Sequence, residues 1–206
     1  MDIRDTETRT PRPINEAALR QIFLDARTHN KWRAQEVPDS LLKELVDVLK
    51  IGPTSANCSP ARILFVKSQA AKERLKPHLD EGNRDKTMAA PVCAIIGYDL
   101  AFYEHLPKLF PHDQTARSWF AGKPKHIETT AFRNGALQGA YLIIAARAPG
   151  LDCGPMSGFN NAGVDAAFFA GTEVKSNFLC NLGYGDPAGV RPRGPRFAFD
   201  ETAGIL

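Results

Sequence analysis

The chain has 206 residues, of which 43% are hydrophobic and 24% charged, and a formal net charge of +3. This mix is that of an ordinary globular protein and is far from that of a disordered chain. The charge falls well short of the clustered basic excess of a dedicated nucleic-acid-binding protein, and a bound small anion explains it more economically. The length predicts a single domain over residues 1–206, with residues 1–14 as a flexible N-terminal arm.

No stretch of the sequence has the character of a targeting or membrane segment. Residues 1–9 mix charged and polar side chains and lack the apolar core of a signal peptide. The most apolar stretch, residues 136–146, contains Gln138 and is shorter than the roughly 20 residues that cross a bilayer. We therefore expect a cytoplasmic protein without membrane contact. Four widely spaced cysteines predict reduced thiols rather than a disulfide framework: Cys58, Cys93, Cys153 and Cys180.

Two helices are predicted in the first quarter of the chain. Apolar residues at helical spacing over residues 18–26 follow Asn15, a suitable N-cap, and predict the first helix. The second opens at residues 38–40, carries an apolar stripe over residues 41–49 and is stopped by Gly52 and Pro53.

Short runs that contain several apolar residues predict strands at residues 63–66, 92–96 and 177–182, and the first two runs are rich in β-branched residues. The first two have the continuous apolar character of strands buried on both faces, and we place them in one sheet. Between them we expect a helix over residues 68–79 and then a polar stretch over residues 81–86. Ligands often bind where such a stretch borders the end of a strand.

The longest predicted helix covers residues 127–147. It carries Gly135 and Gly139 four residues apart, on one helical face. Glycine in a helix costs roughly 1 kcal/mol relative to alanine, so the pair indicates that another part of the chain packs closely on this face.

Several kinds of chemistry find little support in the sequence. It contains no P-loop, and its five histidines show no spacing typical of metal ligands, so we predict no metal site. A Cys–His hydrolase stays open at this point. However, nothing marks any of the four cysteines as activated, and a buried structural thiol is the usual role of such residues.

Five different clusters of polar residues are spread along the chain, and each of them alone has an ordinary structural explanation. Arg27 suits a helix C-terminus, Asn57 a turn, Lys86 a solvated surface and Gly158 a turn. Their order and separation carry the functional signal. The clusters comprise residues 27–30, residues 54–57, Asn83 with Lys86, residues 154–158 and residues 191–193.

In that order the clusters resemble the flavin-binding positions of the FMN-dependent nitroreductase family, over residues 27–196. By this resemblance Arg27 and Thr28 contact the FMN phosphate, and Arg191 and Arg193 complete the phosphate site. Asn30 stands where the family usually has a basic residue facing the flavin pyrimidine. Ala26 occupies a second position that is usually basic.

The resemblance also assigns the middle of the chain. Pro53, Thr54, Ser55 and Asn57 match residues that contact the flavin from the neighbouring subunit. The Gln-Pro-Trp that usually follows them is replaced here by residues 59–61, Ser-Pro-Ala.

Two further matches concern the flavin ring. Asn83 and Lys86 match the asparagine–lysine pair at the polar edge of the flavin. Gly158 matches the glycine whose backbone lies beside flavin N5 and O4, and Ser157 replaces the acidic residue that is frequent next to it.

Fold, cofactors and assembly follow from this resemblance as expectations. We expect an α+β sandwich in which a central mixed β-sheet is flanked by helices, with the long helix at or near the interface of a homodimer. FMN would lie between the subunits, with NADH or NADPH as reductant. Ping-pong catalysis is implied, in which reductant and substrate use the same space in turn and hydride passes through flavin N5. His29 is a candidate proton donor.

The amino-acid sequences of three segments resemble those of one branch of the family, the Rut-type malonic semialdehyde reductases. These enzymes form 3-hydroxypropionate during pyrimidine (uracil) breakdown. These segments are residues 52–62, 82–87 and 184–187. An alternative within the family is a broad-specificity nitro or quinone reductase. An alternative of another class is a flavin-free protein that binds anions or nucleic acid through Arg191, Arg193 and Arg196.

Overall fold

A four-stranded antiparallel sheet forms the centre of the protein in a computed structural model that describes residues 12–206. The strands are β1 (Ala61–Val66), β2 (Val92–Asp99), β3 (Asp152–Met156) and β4 (Val174–Gly183), in the order β1-β2-β4-β3. Every neighbouring pair is antiparallel. The three predicted strands are confirmed, whereas β3 was not predicted.

Eight α-helices surround this sheet in the described part of the chain. The first continues into a π-helical turn over Arg20–Leu24, so the predicted helix over residues 18–26 is irregular. The helices are α1 (Glu16–Leu19), α2 (Asp39–Leu49), α3 (Gln69–Leu75), α4 (Glu81–Ala89), α5 (Leu106–Leu109), α6 (Pro124–Arg147), α7 (Asn161–Phe168) and α8 (Phe199–Thr202).

Helices cover both faces of the sheet, which gives the sandwich expected from the sequence. On one face Ala94 and Ile96 of β2 belong to a core with residues of α2 and α6, such as Leu142. On the other face Cys93 and Ile95 pack with residues of α3 and α7. Central strand β2 is therefore buried on both sides, as its continuous apolar run predicts.

The prediction of a mixed sheet was wrong. Continuous apolar runs report that both faces of a strand are covered, and helices can cover both faces of an antiparallel sheet as well as of a parallel one. Strand direction depends on the connections between strands, which apolar periodicity does not encode. The one parallel bridge in the described chain joins Thr28, which belongs to no strand, to Cys153 of β3.

The polar stretch at residues 81–86 is helical, a second departure from the prediction. It forms most of α4, which has Glu81 in its first turn and Lys86 in its last, where each charge favours the helix dipole. This helix shows no apolar stripe because its length is largely polar, so periodicity could not reveal it. The predicted helix over residues 68–79 consists of α3 and a 3-10 turn, Lys76–His78.

Helix α6 begins at Pro124 and packs along the sheet through its glycines. A Cβ atom added to Gly135 would lie 2.8 Å from Cβ of Tyr98 on β2, and one added to Gly139 would meet the ring of Phe178 on β4. The close approach predicted from this glycine pair is thus confirmed. Within the described residues, no helix is both long and apolar enough to cross a membrane.

A third apolar cluster was not predicted from the sequence. It forms where the short helical turns of residues 102–120 fold onto α6 through Phe102, Leu106, Phe120 and Ala131. The predicted flexible arm falls largely on residues 1–11, which lie outside the described residues.

The helix–sheet contact at Gly135 can be tested by substitution. We expect Gly135→Ala to lower the free energy of unfolding by about 1–3 kcal/mol, because the added methyl group forces α6 away from Tyr98. Gly82→Ala in α4 is the control: its added Cβ meets nothing within 4 Å, and alanine favours a helix by up to about 1 kcal/mol. Urea titrations monitored by circular dichroism measure both changes. A Gly135→Ala protein at least as stable as the parent would contradict the proposed contact.

Candidate functional site

A basic cavity lies where the end of the first helical segment meets the C-terminal part of the chain. It has a volume of about 480 Å³ and is lined by five arginines, while the described residues that line it include no carboxylate. We call it the arginine cavity. Uncompensated positive charge of this density favours a bound anion with several oxygen acceptors, such as a phosphate. The arginines are Arg27, Arg147, Arg191, Arg193 and Arg196.

Two segments from opposite ends of the chain contribute most of the residues that line this cavity: residues 24–32, the first basic segment, and residues 185–196, the second basic segment. Arg27 donates a hydrogen bond from Nη2 to the carbonyl of Arg191. In the reverse direction, Nη2 of Arg193 donates to the carbonyls of Leu24 at 2.6 Å and Ala26 at 3.2 Å. Arg27, Thr28, Arg191 and Arg193 thus meet, as the sequence resemblance requires; their contact with a phosphate stays a prediction.

The arginine cavity opens toward a wider recess of about 980 Å³, and Asn30 and Arg191 line both. The recess also includes Lys31, Trp32 and Lys86, and we call it the lysine recess. Burial, together with the nearby charge of Arg191, lowers the pKa of Lys86. The two cavities together form a groove that has the arginines at one end. At the other end Lys31 and Lys86 lie beside the carboxylates of Asp85 and Asp186.

Asn83 and Gly158 contact each other directly. Nδ2 of Asn83 donates to the carbonyl of Gly158 at 2.7 Å, and the backbone N–H of Asp80 donates to the same oxygen at 3.1 Å. A Cβ atom at position 158 would lie 2.6 Å from Nδ2 of Asn83, so only glycine allows this approach. Ser157 is exposed beside it.

Residues 53–57 do not reach this groove within one chain. Their partners lie elsewhere: the N–H of Ser55 donates to Oδ1 of Asn134 at 2.9 Å, and Nδ2 of Asn57 donates to the carbonyl of Leu109 at 2.8 Å. Thr54 accepts from the N–H of Ser59. Neither Pro53 nor any of these residues lines the arginine cavity or the lysine recess. Asn83, Ser157 and Gly158 also line neither cavity, and a contact of residues 53–57 with a flavin stays a prediction.

The backbone of this segment is strained at consecutive residues. Ala56 and Asn57 have φ angles of 50° and 51°, in the left-handed region that most side chains avoid. Such geometry persists only where the surroundings fix it, and it is often found at functional sites. Here Asn134 and Leu109 supply the fixing hydrogen bonds described above.

His29, the candidate proton donor, lies behind the groove. Its ring is buried, lines neither cavity, and places Nε2 3.4 Å from Oδ1 of Asp152. The backbone N–H of His29 donates to the carbonyl of Cys153 at 3.0 Å. This position favours a role in shaping the first basic segment; proton donation by His29 stays a prediction without geometric support.

Three residues that sequence reasoning missed hold the groove in shape. Trp32 donates from Nε1 to the carbonyl of Lys86 at 3.1 Å and so joins the first basic segment to α4. Buried Lys72 donates to the carbonyls of Met88 and Ala90 at the end of α4. Arg147, at the C-terminus of α6, donates to the carbonyl of Ile22 at 3.0 Å. All three bond to backbone carbonyls of distant segments, a contact that leaves no sequence motif.

The surroundings of the cysteines do not favour a role as nucleophiles. All four are free and buried. Burial raises the pKa of Cys58 to about 11 and that of Cys93 to about 12, which leaves both as neutral thiols at physiological pH. This finding removes the physical basis of the Cys–His hydrolase alternative. Among residues 12–206, no group of three His, Cys, Asp or Glu side chains is arranged to hold a metal ion.

Fold and site together define an α+β sandwich protein with a cavity lined by five arginines. The sequence matches the Nitroreductase family over residues 24–184. A protein of Burkholderia lata carrying the name NADH dehydrogenase/NAD(P)H nitroreductase is 67% identical over 192 residues, which are 93% of this chain and 98% of that one. HadB of Ralstonia pickettii, with the same type of name, is 60% identical over 187 residues, covering 90% and 95% of the two chains.

The fold is also found in solved structures. A nitroreductase-like protein from Exiguobacterium sibiricum, crystallised in complex with FMN, superposes with a TM-score of 0.82 at 15% identity, covering 96% of this chain and all of that one. The chain belongs to the nitroreductase family.

Proposed function

We propose that the protein is an FMN-dependent NAD(P)H oxidoreductase whose groove holds the flavin lengthwise. The observation that carries this proposal is the arginine cavity, joined through Asn30 and Arg191 to the lysine recess. A ligand with a dianion at one end and a hydrogen-bonding ring edge at the other matches this groove. The names of the relatives from Burkholderia lata and Ralstonia pickettii, which refer to NAD(P)H, support the same reductant here.

The phosphate end of FMN would bind in the arginine cavity. Guanidinium groups of Arg191 and Arg193 can form paired, charge-assisted bonds to phosphate oxygens, and Thr28 adds a neutral hydroxyl donor. Arg27 already donates to one backbone carbonyl of the opposite segment, and Nη2 of Arg193 donates to two. Each guanidinium has five N–H donors, so both retain enough for an anion.

The ring edge would lie toward α4 and Gly158. Lys86 holds a positive charge where electron density gathers on a reduced ring edge, and a fixed charge there stabilises that density. Asn83 offers a donor and an acceptor, and its bond to Gly158 fixes the orientation of its amide. Ser157 and Asn30 line the remaining polar edge in this proposal. When bound, FMN supplies hydride transfer at N5.

We further propose that the site is completed in a homodimer, with Pro53, Thr54, Ser55 and Asn57 reaching the flavin of the partner. Two observations support this assembly. These residues line neither cavity of their own chain, and large apolar side chains stay uncovered in the single chain. Phe197 is 78% exposed and Ile205 89% exposed, while Phe132 on α6 is half exposed. Exposed apolar surface of this kind is typical of a protein interface.

The proposed substrate is malonic semialdehyde, reduced to 3-hydroxypropionate in pyrimidine breakdown. Support comes from the amino-acid sequence of residues 52–62, 82–87 and 184–187, and from the arginines and lysines of the two cavities, which can bind a substrate carboxylate. A broad-specificity nitro or quinone reductase is the second candidate, since the names of both relatives include NAD(P)H nitroreductase.

The phosphate assignment can be tested at Arg193. We expect Arg193→Ala to raise the FMN dissociation constant roughly tenfold to a few hundredfold, because one or two hydrogen bonds to a charged group are lost. Quenching of flavin fluorescence measures the constant. Riboflavin lacks the phosphate, so its affinity should scarcely change.

Arg196→Ala is the matched control. Arg196 lines the same cavity, but its Nη1 bonds to the nearby carbonyls of Gly194 and Pro195, so we expect a much smaller effect on FMN. Equal losses for FMN and riboflavin in Arg193→Ala would show that the arginine acts on the fold or the ring. A parent protein that takes up no flavin from excess FMN would refute the proposed function.

The shared site predicts that the protein is dimeric at working concentrations, with an interface of about 2,000 Å² or more. Light scattering coupled to size exclusion measures the mass. Asn57→Ala should weaken FMN binding while the dimer persists. An active monomer that retains FMN would contradict the shared site.

The substrate assignment predicts a carboxylate effect. We expect kcat/KM for malonic semialdehyde to exceed that for propanal by about tenfold or more, since propanal lacks the charged group that the arginines and lysines of the two cavities would bind. Steady-state assays of NAD(P)H oxidation with both aldehydes and a nitroarene provide the comparison. Nitroarene turnover that is more efficient by orders of magnitude would favour the second candidate.

A further inference from the structure

The carboxylate of Asp152, the first residue of β3, contacts both basic segments at once. Its Oδ1 lies 3.4 Å from Nε2 of His29, in the first basic segment. Its Oδ2 accepts a 2.9 Å hydrogen bond from the N–H of Gly185, in the second. Asp152 lines neither the arginine cavity nor the lysine recess, so it reaches the groove only through these two partners.

His29 and Gly185 also pack directly against each other. A Cβ atom added at position 185 would overlap Nδ1 of His29, so the ring rests on a backbone that only glycine can provide there. Nδ1 is buried and has no hydrogen-bond partner among the described residues. Nε2 is thus the one ring nitrogen with a polar partner, and that partner is Asp152.

Loss of the Asp152 carboxylate would therefore leave polar groups unpaired on both segments. His29 would keep no polar partner for its buried ring, and the N–H of Gly185 would lose its acceptor. Burying unpaired polar groups is costly, so the segments are expected to shift until water reaches these groups. Thr28 and Arg27 adjoin His29 along the chain, and a shift of the ring displaces them from Arg191 and Arg193.

We propose that Asp152 is a positioning residue that fixes the two basic segments in the spacing required to hold the phosphate of FMN from both sides. The proposal rests on the function proposed above. By this proposal Asp152 contributes to the affinity for the FMN phosphate although it lies outside the groove.

The direction of the change in FMN affinity distinguishes a positioning role of Asp152 from a purely electrostatic effect of its charge. Removing a negative charge near an anion site raises anion affinity if long-range charge alone matters. Positioning requires the opposite, a loss of affinity. Asp25→Ala is the matched control, because it removes a carboxylate close in sequence to Arg27 whose partner is the exposed Arg20.

The experiment measures FMN and riboflavin dissociation constants for the full-length parent, Asp152→Ala, Asp25→Ala, Arg193→Ala and the double variant Asp152→Ala/Arg193→Ala. We expect Asp152→Ala to raise the FMN constant about tenfold and to change the riboflavin constant less than about threefold. Asp25→Ala should leave FMN binding unchanged or tighter. In the Arg193→Ala background the further loss from Asp152→Ala should be much smaller, since both changes act on the same phosphate contact.

Unchanged or tighter FMN binding in Asp152→Ala would overturn the proposal, and so would equal losses for FMN and riboflavin, which a purely structural role produces. An Arg193→Ala variant that fails to distinguish FMN from riboflavin would refute the phosphate assignment instead, whatever Asp152→Ala does. If Asp152→Ala does not fold, Asp152→Asn replaces it. The amide keeps an acceptor for Gly185 but loses the carboxylate opposite His29, so a smaller, phosphate-dependent loss is expected, and no loss counts against the proposal.

Discussion

Five guanidinium groups share one cavity, and the protein must hold these like charges together against their mutual repulsion. It does so with backbone acceptors. Arg27 and Arg193 each donate to carbonyls of the opposite segment, and Arg147 donates to the carbonyl of Ile22. Carbonyl dipoles orient the cations without neutralising them, so the charge stays available to a ligand. The groove depends on this arrangement, because a carboxylate in the same place would compete with a phosphate.

The sheet makes that arrangement possible. Strands β3 and β4 pair at one edge, with Asp152 opposite Gly183, so the start of β3 lies beside the end of β4. The first basic segment lies against β3 through the bridge between Thr28 and Cys153, and against the residues that follow β4 through the bridge between Trp32 and Gly185. Segments more than 150 residues apart in sequence thus become neighbours. Helices on both faces bury the strands that carry these ends, and the stability of the core fixes the geometry of the groove.

The division of the site between two regions of the chain follows from the same architecture. The groove is built on the edge formed by β3 and β4, whereas residues 53–57 lie against α6 and α5. A single subunit therefore separates the two sets of proposed flavin contacts. Association of two subunits would bring them together and would also cover apolar side chains such as Phe132 and Phe197. In this proposal, assembly and cofactor binding are linked.

The sequence by itself determined the features that depend on local pattern. Apolar runs marked strands β1, β2 and β4, the apolar stripe and its stop signals marked α2, and the pair Gly135 and Gly139 marked a close helix contact. The order of the polar clusters indicated the family. It also led to the hypothesis that one phosphate site contains Arg27, Thr28, Arg191 and Arg193.

Tertiary structure decided what depends on contacts between distant segments. It set the antiparallel direction of the strands, since an apolar run reports burial and not direction. It made a helix of the polar α4, which is held at its C-terminal end by Trp32 and Lys72 rather than by an apolar stripe. It also turned His29 away from the groove and toward Asp152, because the backbone of Gly185 leaves room for its ring. Hydrogen bonds of this kind join side chains to backbone atoms far along the chain, and backbone atoms are the same for every residue type, so the sequence alone does not specify the pairing.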